Sequence, residues 1–293
     1  MTSRAVRLRL PDGTELAGPV VDLRGIDAGV SPAGVRDAIR SGCPTRPDRP
    51  TVHAPPPTRV HAHVAHLTPG ASVDRRAALA AVGAATGIDT PHDADLAAVK
   101  ASLRAVSVPA VDDAELRAAR RRAAAAGSET DRLRERVATL RGRVVARRED
   151  GADDAAAEAE ASLSEATRTL SEASTERVAA TQRLATLEER ARRARDAREE
   201  RLRLQDRAGN LRRARRAALA DAVTSEFREA RARIGSVLDA RPGTSPDAGL
   251  RDALAVAVVA PLRAPVVVAP DVVTALGGSD AAFERLDAPL VIG

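Results

Sequence analysis

Residues 116–144 read LRAARRRAAAAGSETDRLRERVATLRGRV. Apolar or small residues fall at 116, 119, 123, 126, 130, 133, 137, 140 and 144, in steps that alternate three and four without a slip. That spacing keeps one stripe of side chains facing a partner helix, and it persists for about four heptads. After a polar, charged interruption around Gly151 the stripe resumes with Ala156, Ala159, Leu163, Ala166, Leu170, Ala173, Arg177, Ala180, Leu184, Leu187, Ala191 and Ala194. The reading is a coiled coil over residues 112–208, broken near 148–155.

Charge decides how the two helices pair. Residues 124–148 hold seven Arg against three acids, whereas 149–176 hold one Arg against nine acids. A parallel dimer would set each block against its own copy; folding back at Gly151 sets the basic block against the acidic one. The expected arrangement is therefore a long antiparallel hairpin with its tip at residues 148–155. Each arm would be about 50 Å long at 1.5 Å per residue.

Working outward, residues 1–110 form an expected N-terminal α/β segment. Ala5 to Leu10 alternates as a strand, Pro11-Asp12-Gly13-Thr14 is a turn, and Glu15 to Leu23 returns as a second strand. Ser31-Pro32 opens a short helix to about Ser41. Residues 43–58 carry six prolines and read as an extended connector, unable to form a helix or an interior strand. Arg59 to Leu67 resumes strand alternation, Ser72-Val73-Asp74 caps a helix to Gly87, and another helix runs from Thr90 to Val106. On the far side of the coiled coil, Gly209-Asn210 reads as a break, followed by a separate amphipathic helix over 211–240 that ends before Pro242. Residues 245–293 read as a C-terminal α/β segment: a helix from Ser245-Pro246-Asp247, a buried strand at Val266 to Val268, a helical turn at Ala281 to Leu286 and a last strand at Leu290 to Gly293. A terminal strand needs a sheet to join, so the two end segments are expected to share one head carrying the hairpin. The fold class is thus mainly α, with a small α/β head built from both ends of the chain.

Composition limits the core and the chemistry. The 293 residues include no Trp or Tyr and two Phe, so burial rests on Val, Leu, Ile and Ala. Lys100 is the only lysine among 46 basic residues, and the formal charge is +5. Cys43 is the only cysteine, which excludes an internal disulfide. The N-terminus MTSRAVRLRLPDG lacks the apolar run of a signal peptide, and no apolar stretch approaches the 18 residues of a membrane span, so a cytoplasmic location is expected.

Few residues combine into recognisable chemistry. No Gly-rich loop ends in Gly-Lys-Ser/Thr, since Lys100 sits in Ala-Val-Lys-Ala. His61, His63 and His66 form an H-x-H-x-x-H run, and on a strand His61 and His63 would share a face able to reach a metal, with His92-Asp93 the one tempting companion. The bland alternative is a set of half-buried imidazoles. Cys43, next to Pro44, has no neighbouring base. Gly277-Gly278-Ser279-Asp280 reads as a capping turn, and the pairs Asp153-Asp154 and Glu199-Glu200 as exposed helix residues. The strongest binding signal is Arg190 to Arg216, with twelve Arg against four acids, although its arginines are spread around the helix and no aromatics accompany them to stack bases.

The segments DRRAALAAVGAATG (74–87), DRLRERVATLRGRV (131–144), RLRLQDRAGNLRRARR (201–216) and APVVVAPDVV with LDAPLVIG near the end resemble an uncharacterised family of coiled-coil proteins from halophilic archaea. That resemblance carries over no activity and no functional residue, and no cofactor or metal is expected. The expected function is a non-enzymatic scaffold or adaptor with a protein partner. The competing readings are a duplex nucleic-acid accessory protein using Arg190 to Arg216, and a metal-dependent hydrolase using His61 and His63.

Overall fold

A computed structural model describes residues 5–26, 29–41, 49–240 and 247–293. Two compact units emerge, one of Met1–Ala97 with Gly209–Gly293, the other of Ala98–Ala208.

The first unit begins with β1 (Val6–Arg9) and β2 (Glu15–Gly18), which pair antiparallel. Asp12 accepts from the Thr14 amide at 2.9 Å and Gly13 sits at φ +91°, so the Pro-Asp-Gly-Thr turn forms as its residues dictate. The return strand expected over Glu15 to Leu23 is split. Gly18 takes φ +153° and Pro19 has no amide to donate, so the ladder stops and β3 (Val20–Asp22) joins a different sheet. Next, α1 (Pro32–Ser41) is capped by Ser31, whose hydroxyl accepts from the Gly34 amide at 3.1 Å.

The proline-rich segment contains one more strand than its composition promised. β4 (Thr51–His53) lies on the outer edge of the order β2-β1-β4, where flanking prolines leave no interior ladder bond unmade. Cys43, Pro44 and Pro47 lie outside the described residues. The strand expected from Arg59 to Leu67 is corrected more strongly, because α2 (His61–Val64) is a single helical turn and only His66–Leu67 is extended, as β5. Val60 and Val64, both buried, sit four apart and need helical spacing to reach one core.

Next, α3 (Arg75–Ala85) is capped by Asp74, which accepts from the Ala77 amide, and α4 (Asp93–Ala105) opens on a Thr90–Asp93 box. In that box the Thr90 amide and hydroxyl both donate to Asp93, at 2.7 and 2.9 Å.

The second unit is dominated by α5 (Asp113–Glu149) and the first part of α6 (Asp153–Asp239). Asp112 caps α5 by accepting from the Ala114 and Glu115 amides. Arg147 and Arg148 close its last turn, where positive charge suits the helix dipole. Gly151, at φ +69°, then reverses the chain: its amide donates to Arg148 O and the Ala152 amide to Arg147 O, satisfying carbonyls that the helix end would orphan. Every expected seam position on both arms is buried or half-buried. Val137, Leu140 and Ala166 form one cluster with Leu163 and Leu170 packed against it. Cross-arm hydrogen bonds shorten in sequence separation towards the turn, from 68 residues for Arg120–Glu188 and Arg183–Glu115 to 54 for Arg122–Glu176 and 12 for Arg148–Glu160. Only an antiparallel pair gives that progression.

The break expected at Gly209-Asn210 does not form, and the separate helix expected over 211–240 is the end of α6, 87 residues long. A helical Gly costs about 1 kcal/mol, which burial of an amphipathic face easily exceeds. In the first unit, Leu219, Val223, Phe227, Ala230, Ile234 and Leu238 of α6 are all buried in the main core.

The chain ends with α7 (Ala248–Val259), capped by Asp247, then β6 (Val266–Val268), α8 (Pro270–Leu276), α9 (Ser279–Leu286) and β7 (Leu290–Ile292). Ser245 and Pro246 lie outside the described residues. Here α8 is an addition to the expected elements, although Pro270 at its start and Gly277 at φ +107° after its end are the usual punctuation of a helix. The four strands β3-β7-β6-β5 form an all-parallel sheet, so the N-terminal and C-terminal segments share one head as expected. β6 and β7 are buried throughout and α1 packs on this sheet, with Val35, Ile39, Val267 and Val291 in one core.

One contact in the first unit is close enough to reverse an ordinary rule. A Cβ added at Gly83 on α3 would lie 2.8 Å from the Leu219 carbonyl oxygen and 3.2 Å from its Cβ, whereas Gly127 and Gly142 on α5 have open space. Gly83→Ala should therefore lower the urea unfolding free energy by about 1–3 kcal/mol through overpacking. Gly127→Ala and Gly142→Ala should each raise it by up to about 1 kcal/mol through helix propensity. A Gly83→Ala variant as stable as wild type would contradict the close packing of α3 on α6.

Candidate anion-binding surfaces

The arginines of residues 190–216 do not act as one block. Arg192 and Arg193 share Glu189 at 2.7 and 2.9 Å, and Arg203 bonds Glu199 at 2.5 Å. Arg213 donates to the Asn210 side chain and Arg215 to Asp93. Among the described residues, the side chains of Arg190, Arg195, Arg198, Arg201 and Arg207 in the second unit, and of Arg212 and Arg216 in the first, make no ion pair or hydrogen bond. Seven of twelve are thus unpaired, and the raw charge of the segment overstates what a phosphate backbone would meet.

Within the second unit a groove of about 460 Å³ lies between the arms, lined among others by Asp113, Arg120, Glu188, Arg192, Arg195 and Arg198. Arg120 is neutralised by Glu188 at 3.1 Å and Arg192 by Glu189, which leaves Arg195 and Arg198 as its unpaired cations, with Asp113 nearby. Two free guanidinium groups make a modest footprint for a duplex, which the strongest binders contact at roughly 6–10 phosphates.

The histidine run is taken apart by the fold. Because His61 and His63 lie two apart on a helical turn, their side chains diverge rather than share a face. His61 is 4% exposed and its Nε2 sits 2.7 Å from the Pro265 carbonyl oxygen. A carbonyl only accepts, so Nε2 carries the proton and is not available to a metal. Burial holds the His61 imidazole below its ordinary pKa, with the Pro265 bond opposing that effect and Arg40 adding to it. His66 is lowered by burial first and by Arg36 second. Of the His92-Asp93 pair, Asp93 is engaged by Arg215 and Thr90. No group of three or more His, Cys, Asp or Glu able to hold a metal comes together among the described residues. Cys43 lies outside them.

The carboxylate pairs have structural partners. Asp153 and Asp154 occupy the first turn of α6, where negative charge suits the helix dipole, and Glu199 and Glu200 both lie against Arg203. In the Gly277 to Asp280 turn Gly278 is the residue before α9, without a side-chain cap. No helix of the described residues is long and apolar enough to cross a membrane.

Beside these surfaces stands one that motif reading passes over. In the first unit, Arg36 and Arg40 of α1 meet Arg59 and His61 at a cleft of about 490 Å³. The residues come from segments some twenty positions apart with no shared motif, so only the packing of α1 against the sheet brings them together. A family model matches residues 18–290. The chain belongs to a family of unknown function (DUF7856). No curated protein and no solved structure matches it. The matched span takes in the whole second unit and most of both segments that build the first.

Two outcomes follow from this electrostatics. If the groove meets a duplex, the slope of log Kobs against log salt should be no steeper than about −2, because each neutralised phosphate contributes about −0.9. Fluorescence anisotropy with a duplex across a salt series measures it, and a slope near −6 or steeper would mean that cations outside the groove also meet the duplex. The second concerns acid. Arg215 and then the Thr90 amide and hydroxyl hold Asp93 down from 3.8 to about 2. Its contribution to stability is complete above the ordinary carboxylate value and is lost as pH falls towards about 2. Asp93→Asn should therefore flatten the fall of the unfolding midpoint between about pH 4 and pH 2, as followed by circular dichroism.

Proposed function

We propose that this protein is a non-enzymatic scaffold or adaptor, cytoplasmic and of the archaeal coiled-coil kind its sequence resembles, in which the hairpin presents its outer faces to a protein partner. One observation carries the reading. The large apolar side chains left exposed among the described residues are Val145, Val178 and Leu202, at 55, 56 and 61%, and all three belong to the second unit. The arms already satisfy each other through the buried seam and cross-arm ion pairs, so these side chains are not needed within the hairpin. A long preformed surface with apolar points set among charges suits a second protein, which can cover each point without first ordering the hairpin. Two side chains singled out for chemistry are engaged elsewhere, His61 on Pro265 and Asp93 on Arg215.

A second reading rests on Arg195 and Arg198, the unpaired cations of the groove, and makes the protein a nucleic-acid accessory factor. The hydrolase reading loses its motivation, since His61 and His63 no longer share a face.

A photo-crosslinking residue placed at 145, 178 and 202 separates the two. The adaptor reading expects one protein adduct to recur from these positions in native extract and to be absent from probes on exposed positions of the first unit. It is overturned if no position yields a protein adduct while Arg195→Gln with Arg198→Gln abolishes duplex binding.

A further inference from the structure

Parallel sheets commonly bind ligands beyond the carboxyl ends of their strands. In this protein that end holds a small cavity of about 200 Å³, lined mainly by apolar residues including Leu10, Leu23, Ile26 and Pro32. Arg24, the one charged side chain on its lining among the described residues, is already bonded to Asp22 at 2.5 Å. The opposite end differs. There the cleft of about 490 Å³ lies where Ala65 precedes β5 and Pro265 precedes β6, with Arg36, Arg40 and Arg59 around its rim.

We propose that this cleft is a binding site for a small phosphorylated ligand, held by the guanidinium groups of Arg36, Arg40 and Arg59 with the Thr58 hydroxyl beside them. The side chains of Arg40 and Arg59 make no ion pair or hydrogen bond among the described residues, and that of Arg36 has only its exposed neighbour Asp37, at 3.3 Å. Among the described residues, no carboxylate lines the cleft. Three guanidinium groups line one cavity, with Asp37 the one acid paired to any of them among the described residues, and a phosphate dianion would offset their charge while accepting forked hydrogen bonds. Their field registers on the neighbouring imidazoles, since Arg40 lowers His61 and Arg36 lowers His66.

The cleft is also preformed. His61 forms a fixed wall through its bond to Pro265, Val60 and Val64 anchor the turn that carries Arg59, and Val35 and Ile39 anchor the helix that carries Arg36 and Arg40. Its volume suits a metabolite rather than a polymer, and Pro57, Ala62 and Ala65 supply an apolar side for the ligand's uncharged part. This inference is independent of the adaptor reading, because its residues all lie in the first unit.

The test is isothermal titration of the full chain with inorganic pyrophosphate at low ionic strength. Saturable binding at one site is expected, weakened at least about tenfold by Arg40→Gln and by Arg59→Gln, the loss typical of one charge-assisted bond. Both side chains are exposed, so the thermal midpoint of the free variants should match wild type. Arg195→Gln with Arg198→Gln should leave the affinity unchanged. The proposal is overturned if no saturable heat appears, if the groove variant loses binding while the cleft variants keep it, or if a duplex displaces pyrophosphate from the cleft.

Discussion

Strands from both ends of the chain pair in parallel, Val20–Asp22 with Leu290–Ile292 and His66–Leu67 with Val267–Val268, and everything else is arranged around that closure. A parallel pair cannot be joined by a tight turn, so the chain must leave the sheet and return. The His61–Pro265 bond spans 204 residues. Closing so long a loop costs little more than closing a short one, because the entropy grows only with the logarithm of length. A hairpin of any length can therefore be accommodated between β5 and β6. The cost is met by strands that are buried on both faces, Val266 to Val268 and Leu290 to Ile292, where nearly every backbone group has a ladder partner and each side chain is in the core.

Within the hairpin, stability and specificity come from different groups. The seam of Leu, Val and Ala supplies the burial, and its many alanines let the arms approach closely. The ion pairs across it are exposed, with Arg side chains 58–71% accessible, and such pairs contribute about 0–1 kcal/mol each. Their role is to choose among arrangements of similar burial, since a slipped or parallel register would put like charges together. Thr130, fully buried on the seam, bonds its own helix at Ala126 O and so places a polar group in the interface without leaving it unsatisfied.

The same arithmetic of pairing governs the surfaces. A basic protein in which arginine replaces almost all lysine is expected to carry forks wherever charge is wanted, yet along α6 a nearby acid occupies several of them. What distinguishes the cleft of Arg36, Arg40 and Arg59 is that no acid is found on its lining among the described residues, not the number of cations. Charge counted along a sequence treats both cases alike; charge counted with its partners does not.

The heptad steps, the opposed charge blocks and Gly151 were enough to read the hairpin, because helical periodicity and charge are local and regular along the chain. Caps at Ser31 and Asp74 were legible for the same reason, each being a contact within three residues. Sequence failed where a distant contact outweighed a local preference. Gly209 stays helical, Val60 and Val64 draw a strand-like histidine run into a turn, and Pro19 hands β3 to a second sheet. The candidate cleft was illegible throughout, since its arginines share no motif and become neighbours only when α1 packs on the parallel sheet. Sequence by itself determined the coiled coil and its antiparallel sense, because both depend on spacing and charge within one stretch. Tertiary structure alone decided which arginines remain unpaired, because the availability of a charge depends on every acid that the fold brings near it.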